Sequence, residues 1–143
     1  MSSALYDKGR EAFLTAGINL SSATIKAMLL RTTGGGGTPY TPDLAADQYL
    51  DDIPNNAYAR AAAAETLGSK TVTDGVFDAA DTVFSGVSAG DPIQAIVIYK
   101  DTGTESTSPL IAYIDTITGF PFTPTGGDIN VSWSNGSSRI FKL

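Results

Sequence analysis

Ile93 to Lys100 reads IQAIVIYK and is apolar on both faces of an extended chain. A strand with that pattern has to be covered on both sides, so it belongs at the centre of a sheet. Leu110 to Thr116, LIAYIDT, is similar and pairs with it through the loop Asp101 to Pro109. From Gln94 to Leu143, apolar stretches alternate with Gly, Pro, Asn and Asp clusters, the pattern of antiparallel strands joined by tight turns.

Further strands are expected at Thr24 to Arg31 (TIKAMLLR), at KTVTDG ending in Asp74-Gly75, and in VFDAADTVFSGV, centred on Thr82 to Phe84. Ile129, Val131 and Trp133 alternate with Asp128, Asn130 and Ser132, so one side is dry and the other wet. A hairpin after them with the three-residue loop Ser134-Asn135-Gly136 puts Arg139, Phe141 and Leu143 on that dry face. Ile140 then points the other way. Ala57 to Leu67, AYARAAAAETL, has helix propensity but sits between turn signals, and a strand is the preferred reading.

Two helices are expected. The first spans about residues 4–16, capped by Ser2 or Ser3 and ended by a left-handed Gly17. Leu5, Gly9, Ala12, Phe13 and Ala16 share its inner face, and Gly9 implies close approach of another backbone. The second is Asp43 to Asp52, capped by Asp43 and closed by Pro54. Gly34 to Gly37 reads as a flexible loop tip. The chain, 1–143, is thus one mainly β domain. Its expected form is an antiparallel β-sandwich or partly open barrel of about seven or eight strands, with an N-terminal helix and a short second helix.

Composition narrows the function. There is no His and no Cys, which removes disulfides, thiolate metal sites and cysteine nucleophiles. Net charge is −6, and the nine Lys and Arg form no basic run, so nucleic acid is not an expected partner. No apolar stretch approaches the roughly 18 residues needed to cross a bilayer. MSSALYDKGREAF has no apolar core, so no signal peptide is expected and the sequons at Asn19, Asn130 and Asn135 read as chance matches. Charged residues make up only 17%, below the roughly 25% usual for soluble domains, and hint at surface covered by partners.

The local motifs read as structure. Gly86-Val87-Ser88-Ala89-Gly90 matches the nucleophile elbow, but without a histidine or a following helix it is a Gly-Ser turn. Asp74, Asp78 and Asp81 lack calcium-loop spacing and suit turns and strand edges. Asp43, Asp47, Asp51 and Asp52 read as the solvated face of the second helix. The glycine run has no Gly-Lys-Ser/Thr and is not a phosphate loop. Tyr99, Tyr113, Phe120, Phe122 and Trp133 suit a core, with a sugar or peptide groove as the alternative. No catalytic, cofactor-binding or metal-ligating residue is assigned, and an enzyme is not expected.

ALYDKGREAFLTAGINL followed by TIKAMLL resembles a family of small virion structural proteins of tailed bacteriophages. So do KTVTDGVFDAADTVFSGV, AIVIYKDTG, SPLIAYID and GGDINVSW…IFKL. The likeness spans most of the chain except the glycine loop and Asn55 to Glu65, and carries no active-site residues. It implies a non-enzymatic capsid decoration or cement protein, found in the virion after assembly in the host cytoplasm. The implied partner is the major capsid protein, with dimers or trimers of the chain itself. The alternative is a tail, neck or fibre-associated module that contacts tail proteins or binds carbohydrate.

Overall fold

A computed structural model describes residues 4–117, 119–133 and 140–142. In chain order the strands are β1 (Ala4–Leu5), β2 (Ile25–Leu30), β3 (Glu65–Thr66), β4 (Thr71–Thr73) and β5 (Val76–Asp78). They continue as β6 (Thr82–Phe84), β7 (Ala95–Lys100), β8 (Leu110–Ile114), β9 (Ile129–Val131) and β10 (Phe141–Lys142). One α-helix, α1 (Asp7–Leu14), follows β1, and short 3-10 turns occupy Leu50–Asp52 and Glu105–Thr107. The fold is mainly β, antiparallel and sandwich-like.

The main sheet has the order β1-β8-β7-β2-β3. β7 lies inside it as its two apolar faces require, paired with β2 from Ile25↔Lys100 to Leu30↔Ala95. On one face Ile25, Ala27, Leu29, Ile96 and Ile98 meet Phe77, Phe84, Ile129, Val131, Trp133 and Phe141 from the two smaller sheets. On the other, Met28, Leu30, Val97, Tyr99, Leu110 and Tyr113 meet Tyr40, Leu50, Ile53 and Ala59 from the irregular segment before β3. The second cover contains no long helix or strand, so a loop seals half of the core.

A register shift opposite Ile98/Tyr99 pairs Ile98 with Ala112 and Tyr99 with Leu110. Ile111 is the extra residue of a bulge, which puts it in the same core as Ala112. The bulge faces α1. The Tyr6 N–H donates to the Ile111 carbonyl at 3.0 Å, so the chain leaves β1 alongside β8 and coils over the sheet edge. A Cβ on Gly9 would stand 2.6 Å from the Leu110 oxygen and 3.1 Å from that of Ile111. The close backbone approach expected at Gly9 is present. Gly9→Ala should therefore lose about 1–2 kcal/mol, the overpacking cost outweighing the helix propensity gained. Chemical denaturation tests this; a more stable variant would show that α1 can lift off the bulge freely.

Four expectations change. α1 starts at Asp7 rather than near residue 4, because Ala4 and Leu5 pair with Tyr113 and Ala112. Its N-cap is Tyr6, without a side-chain cap; Ser2 and Ser3 lie outside the described residues. At the other end Ala16, not Gly17, takes the left-handed conformation (φ 63°). The second helix is replaced by a turn and a 3-10 turn. Carboxylates take the backbone N–H groups there: Asp47 accepts from Asp43, and Asp52 from Gln48 and Tyr49.

The third change is in the alanine-rich segment. It runs beside β2 but pairs only at its ends, through Arg60↔Leu30 and through β3. The last concerns the C-terminal hairpin. β9 pairs with β6 and β10 with β5, so β9 and β10 are not partners. Val131, Trp133 and Phe141 still share one core, reached from different sheets, and Ile140 packs half-buried against it. The turn at Ser134-Asn135-Gly136, with Arg139 and Leu143, lies outside the described residues. With VFDAADTVFSGV split into β5 and β6, and β1 added where helix was expected, the described residues hold ten strands.

Candidate interaction surfaces

Four of the acidic groups singled out in the sequence, Asp43, Asp47, Asp52 and Asp81, hold the backbone. Asp43 Oδ1 accepts from Ala45 and Ala46, and Asp81 Oδ1 from the Trp133 N–H at 3.1 Å. Asp74, in the left-handed region (φ 53°), forms the β4–β5 turn with Gly75. Asp51 is exposed. No cluster of three metal-binding side chains occurs among the described residues. Gly86 is a turn residue (φ 57°) whose N–H donates to Asp128, so the Gly-Ser motif closes a loop. Of the five aromatics, Tyr99, Tyr113 and Trp133 are buried; Phe120 and Phe122 are half-buried against the first core cluster. Trp133 Nε1 donates inward to the Ala80 carbonyl. These rings do not form an open stacking groove.

Two ion pairs fasten the loops around the main sheet. Asp101 accepts from Lys26 at 2.8 Å and from the Gly103 N–H. Glu105 holds the Arg60 guanidinium through both oxygens, while Arg60 Nη2 also donates to the Leu50 and Ile53 carbonyls. The Lys26 hydrogen bond lowers the Asp101 pKa from its ordinary 3.8, and the Arg60 hydrogen bond lowers that of Glu105 from 4.5. Depressed folded values mean that the unfolded chain binds protons first as pH falls. Their stabilisation is present at neutral pH and is lost below about pH 4.5. The denaturation midpoint should hold down to about pH 5 and then fall, and Asp101→Asn with Glu105→Gln should flatten that fall. An unchanged slope in the double variant would assign acid sensitivity to other carboxylates.

The glycine run has a tertiary role. A Cβ would lie 1.7 Å from the Tyr58 hydroxyl at Gly34, 2.9 Å from its ring at Gly36, and 2.6 Å from its Cβ at Gly37. Only Gly35 has open space. The loop wraps Tyr58, which sequence alone does not connect to it. The Tyr58 hydroxyl lies 2.7 Å from Asp91 Oδ2, and this hydrogen bond raises the phenol pKa. Arg31, at the end of β2 and 6% exposed, lies over the same ring at 5.2 Å. Its Nε donates to the Asp91 carbonyl (2.9 Å) and its Nη1 to that of Tyr58 (3.2 Å). Beside it opens a groove of about 600 Å³.

β4 is a different kind of surface. Thr71, Val72 and Thr73 are all exposed at the edge of the sheet β10-β5-β4. Phe77, opposite Val72, gives its carbonyl to the Ile140 N–H. Val72 is therefore in a non-hydrogen-bonded pair and turns its own N–H and C=O outward. Lysine often guards such an edge. Here the neighbouring Lys70 reaches inward to the Ala23 carbonyl, which leaves the edge open.

No known protein family and no curated protein matches this chain. The surfaces themselves have to carry the functional reading. Among the described residues no helix is long and apolar enough to cross a membrane. Two surfaces stand out among the described residues, the open β4 edge and the Arg31 groove.

Proposed function

We propose that the chain is a non-enzymatic structural protein of a bacteriophage virion, a decoration or cement protein that binds the major capsid protein shell. The observation that carries this reading is a main sheet sealed on both faces, with an unguarded strand edge left at β4. Such a block keeps its shape under load and offers backbone groups to a neighbouring chain. The resemblance of most of the sequence to small phage virion proteins supports the same reading. A protein that binds the assembled shell and not its separate subunits stabilises that shell by mass action. Copies of the chain associate as dimers or trimers, with β4 as the available edge.

Purified particles test this. Quantitative mass spectrometry should find the protein in numbers comparable to the capsid subunits, and a reconstruction should place it across capsid joints. Absence from particles would overturn the reading. A handful of copies at the neck or tail would replace it with the tail-associated alternative.

A further inference from the structure

We propose that the groove beside Arg31 is a carboxylate-binding site for one acidic group of a partner protein. The inference is independent of the virion reading, since it concerns the chemistry of the occupant and not where the protein resides.

Arg31 is a buried cation that makes no ion pair among the described residues. A guanidinium has five N–H donors, and among the described residues two of Arg31's have protein acceptors, the Asp91 and Tyr58 carbonyls. Both hydrogens of Nη2 remain, with one on Nη1. Arg31 is buried as a residue, but Nη2 opens to solvent in the groove, where an anion can replace water as its acceptor. Nη2 brings its N–H groups to the groove, where a carboxylate oxygen can accept a charge-assisted hydrogen bond.

The approach to Nη2 is kept clear. A Cβ on Gly90 would sit 3.0 Å from Nη2. Gly90 is not among the positive-φ glycines, so its backbone tolerates a side chain and the space beside Arg31 is what glycine provides. Ser88, exposed on the groove wall, has no hydrogen-bond partner among the described residues and can donate to the same ligand. Ala61, Ala62 and Ala63 line the groove, a surface suited to the methylene stem of a ligand. The Tyr58 ring supports the guanidinium plane, and Asp91 fixes the Tyr58 hydroxyl.

Charge decides between anions. Among the residues lining the pocket, Arg31 is the cation without an ion pair and Asp91 is the carboxylate. Asp91 stands beside the ligand, so a phosphate dianion meets more repulsion there than a singly charged carboxylate does. Arg60 also lines the groove, but its charge is satisfied by Glu105.

The test is a titration of the isotope-labelled full chain with sodium acetate at constant ionic strength, read by NMR at Arg31 Nε–H and the Ser88 and Gly90 amides. Saturable shifts at all three are expected. Gly90→Val keeps the guanidinium and blocks its approach, and should weaken acetate binding at least about tenfold, the worth of one charge-assisted hydrogen bond. Gly90→Ala, a smaller block, serves if the valine variant does not fold. Two peptides then assign the source: one with a single Glu and both ends capped, one with a free C-terminus as its only carboxylate. Saturation by either supports the site and names the occupant. Shifts that do not saturate, that persist unchanged in both Gly90 variants, or that inorganic phosphate produces at lower concentration would overturn it.

Discussion

Phe77→Ala is expected to remove about 3–5 kcal/mol of stability, among the larger costs open to a single core truncation. At this chain length that corresponds to a fall in Tm of about 10 °C or more. Phe77 is 1% exposed and its ring centroid is 5.2 Å from that of Phe141, which in turn lies 6.4 Å from Phe13. The ring therefore joins β5, β10 and α1 to the main sheet. These elements are short, and little local structure would hold them in place once the ring is gone. Val72, directly opposite on β4, is 48% exposed and supplies the control. Val72→Ala should change stability by no more than about 0.5 kcal/mol. Equal losses at the two positions in thermal and chemical denaturation would show that the small sheet does not contribute to the core.

Tyr40→Ala is expected to cost a similar amount, about 3–5 kcal/mol, for a different reason. Tyr40 is 1% exposed and anchors the loop that seals the second face. Its hydroxyl donates to Asp47 Oδ2 at 2.5 Å, so its oxygen accepts the proton of Tyr6, 2.9 Å away. Tyr40→Phe keeps the ring but leaves the buried Tyr6 hydroxyl and the Asp47 carboxylate without it, a loss of about 1–3 kcal/mol. The difference between the two variants separates packing from polar linkage.

The same network predicts alkaline behaviour. Burial raises the pKa of Tyr6 and of Tyr40, and pushes Tyr99 up to about 12, from an ordinary 10.0. Folded values above unfolded ones mean that the unfolded chain loses its protons first. Stability is complete below about pH 10 and declines as pH rises toward the folded values. Tyrosine absorbance should therefore show these phenols ionising together with unfolding.

How much of this could be read from the sequence depends on the range of the determining contacts. β7 was legible because burial on both faces is written into consecutive residues, and Gly9 because glycine inside a helical pattern needs a nearby reason. The C-terminal hairpin misled because Asn135-Gly136 is a local turn signal, while the partners of β9 and β10 are β6 and β5, far back in the chain. The acidic segment misled because Asp47 and Asp52 compete for backbone N–H groups, which helical patterning does not register. Of the candidate groove, the sequence offers a glycine loop, a Gly-Ser turn and an alanine-rich segment, with nothing that joins them. Arg31 reads as an ordinary cation ending a strand. Its burial depends on Tyr58 and Asp91, which only the fold brings to it.

The position of β7 also bears on how the chain is made. β2 pairs with it from Ile25↔Lys100 to Leu30↔Ala95, and β1 must wait for β8. A nascent chain that has emerged only as far as Asp91 carries β2 with the short β3 but without β7. The main sheet can close only after Leu110–Ile114 has left the ribosome, and the first core is complete only with Phe141. Products terminated before Phe141 would thus expose apolar strands to proteases and chaperones.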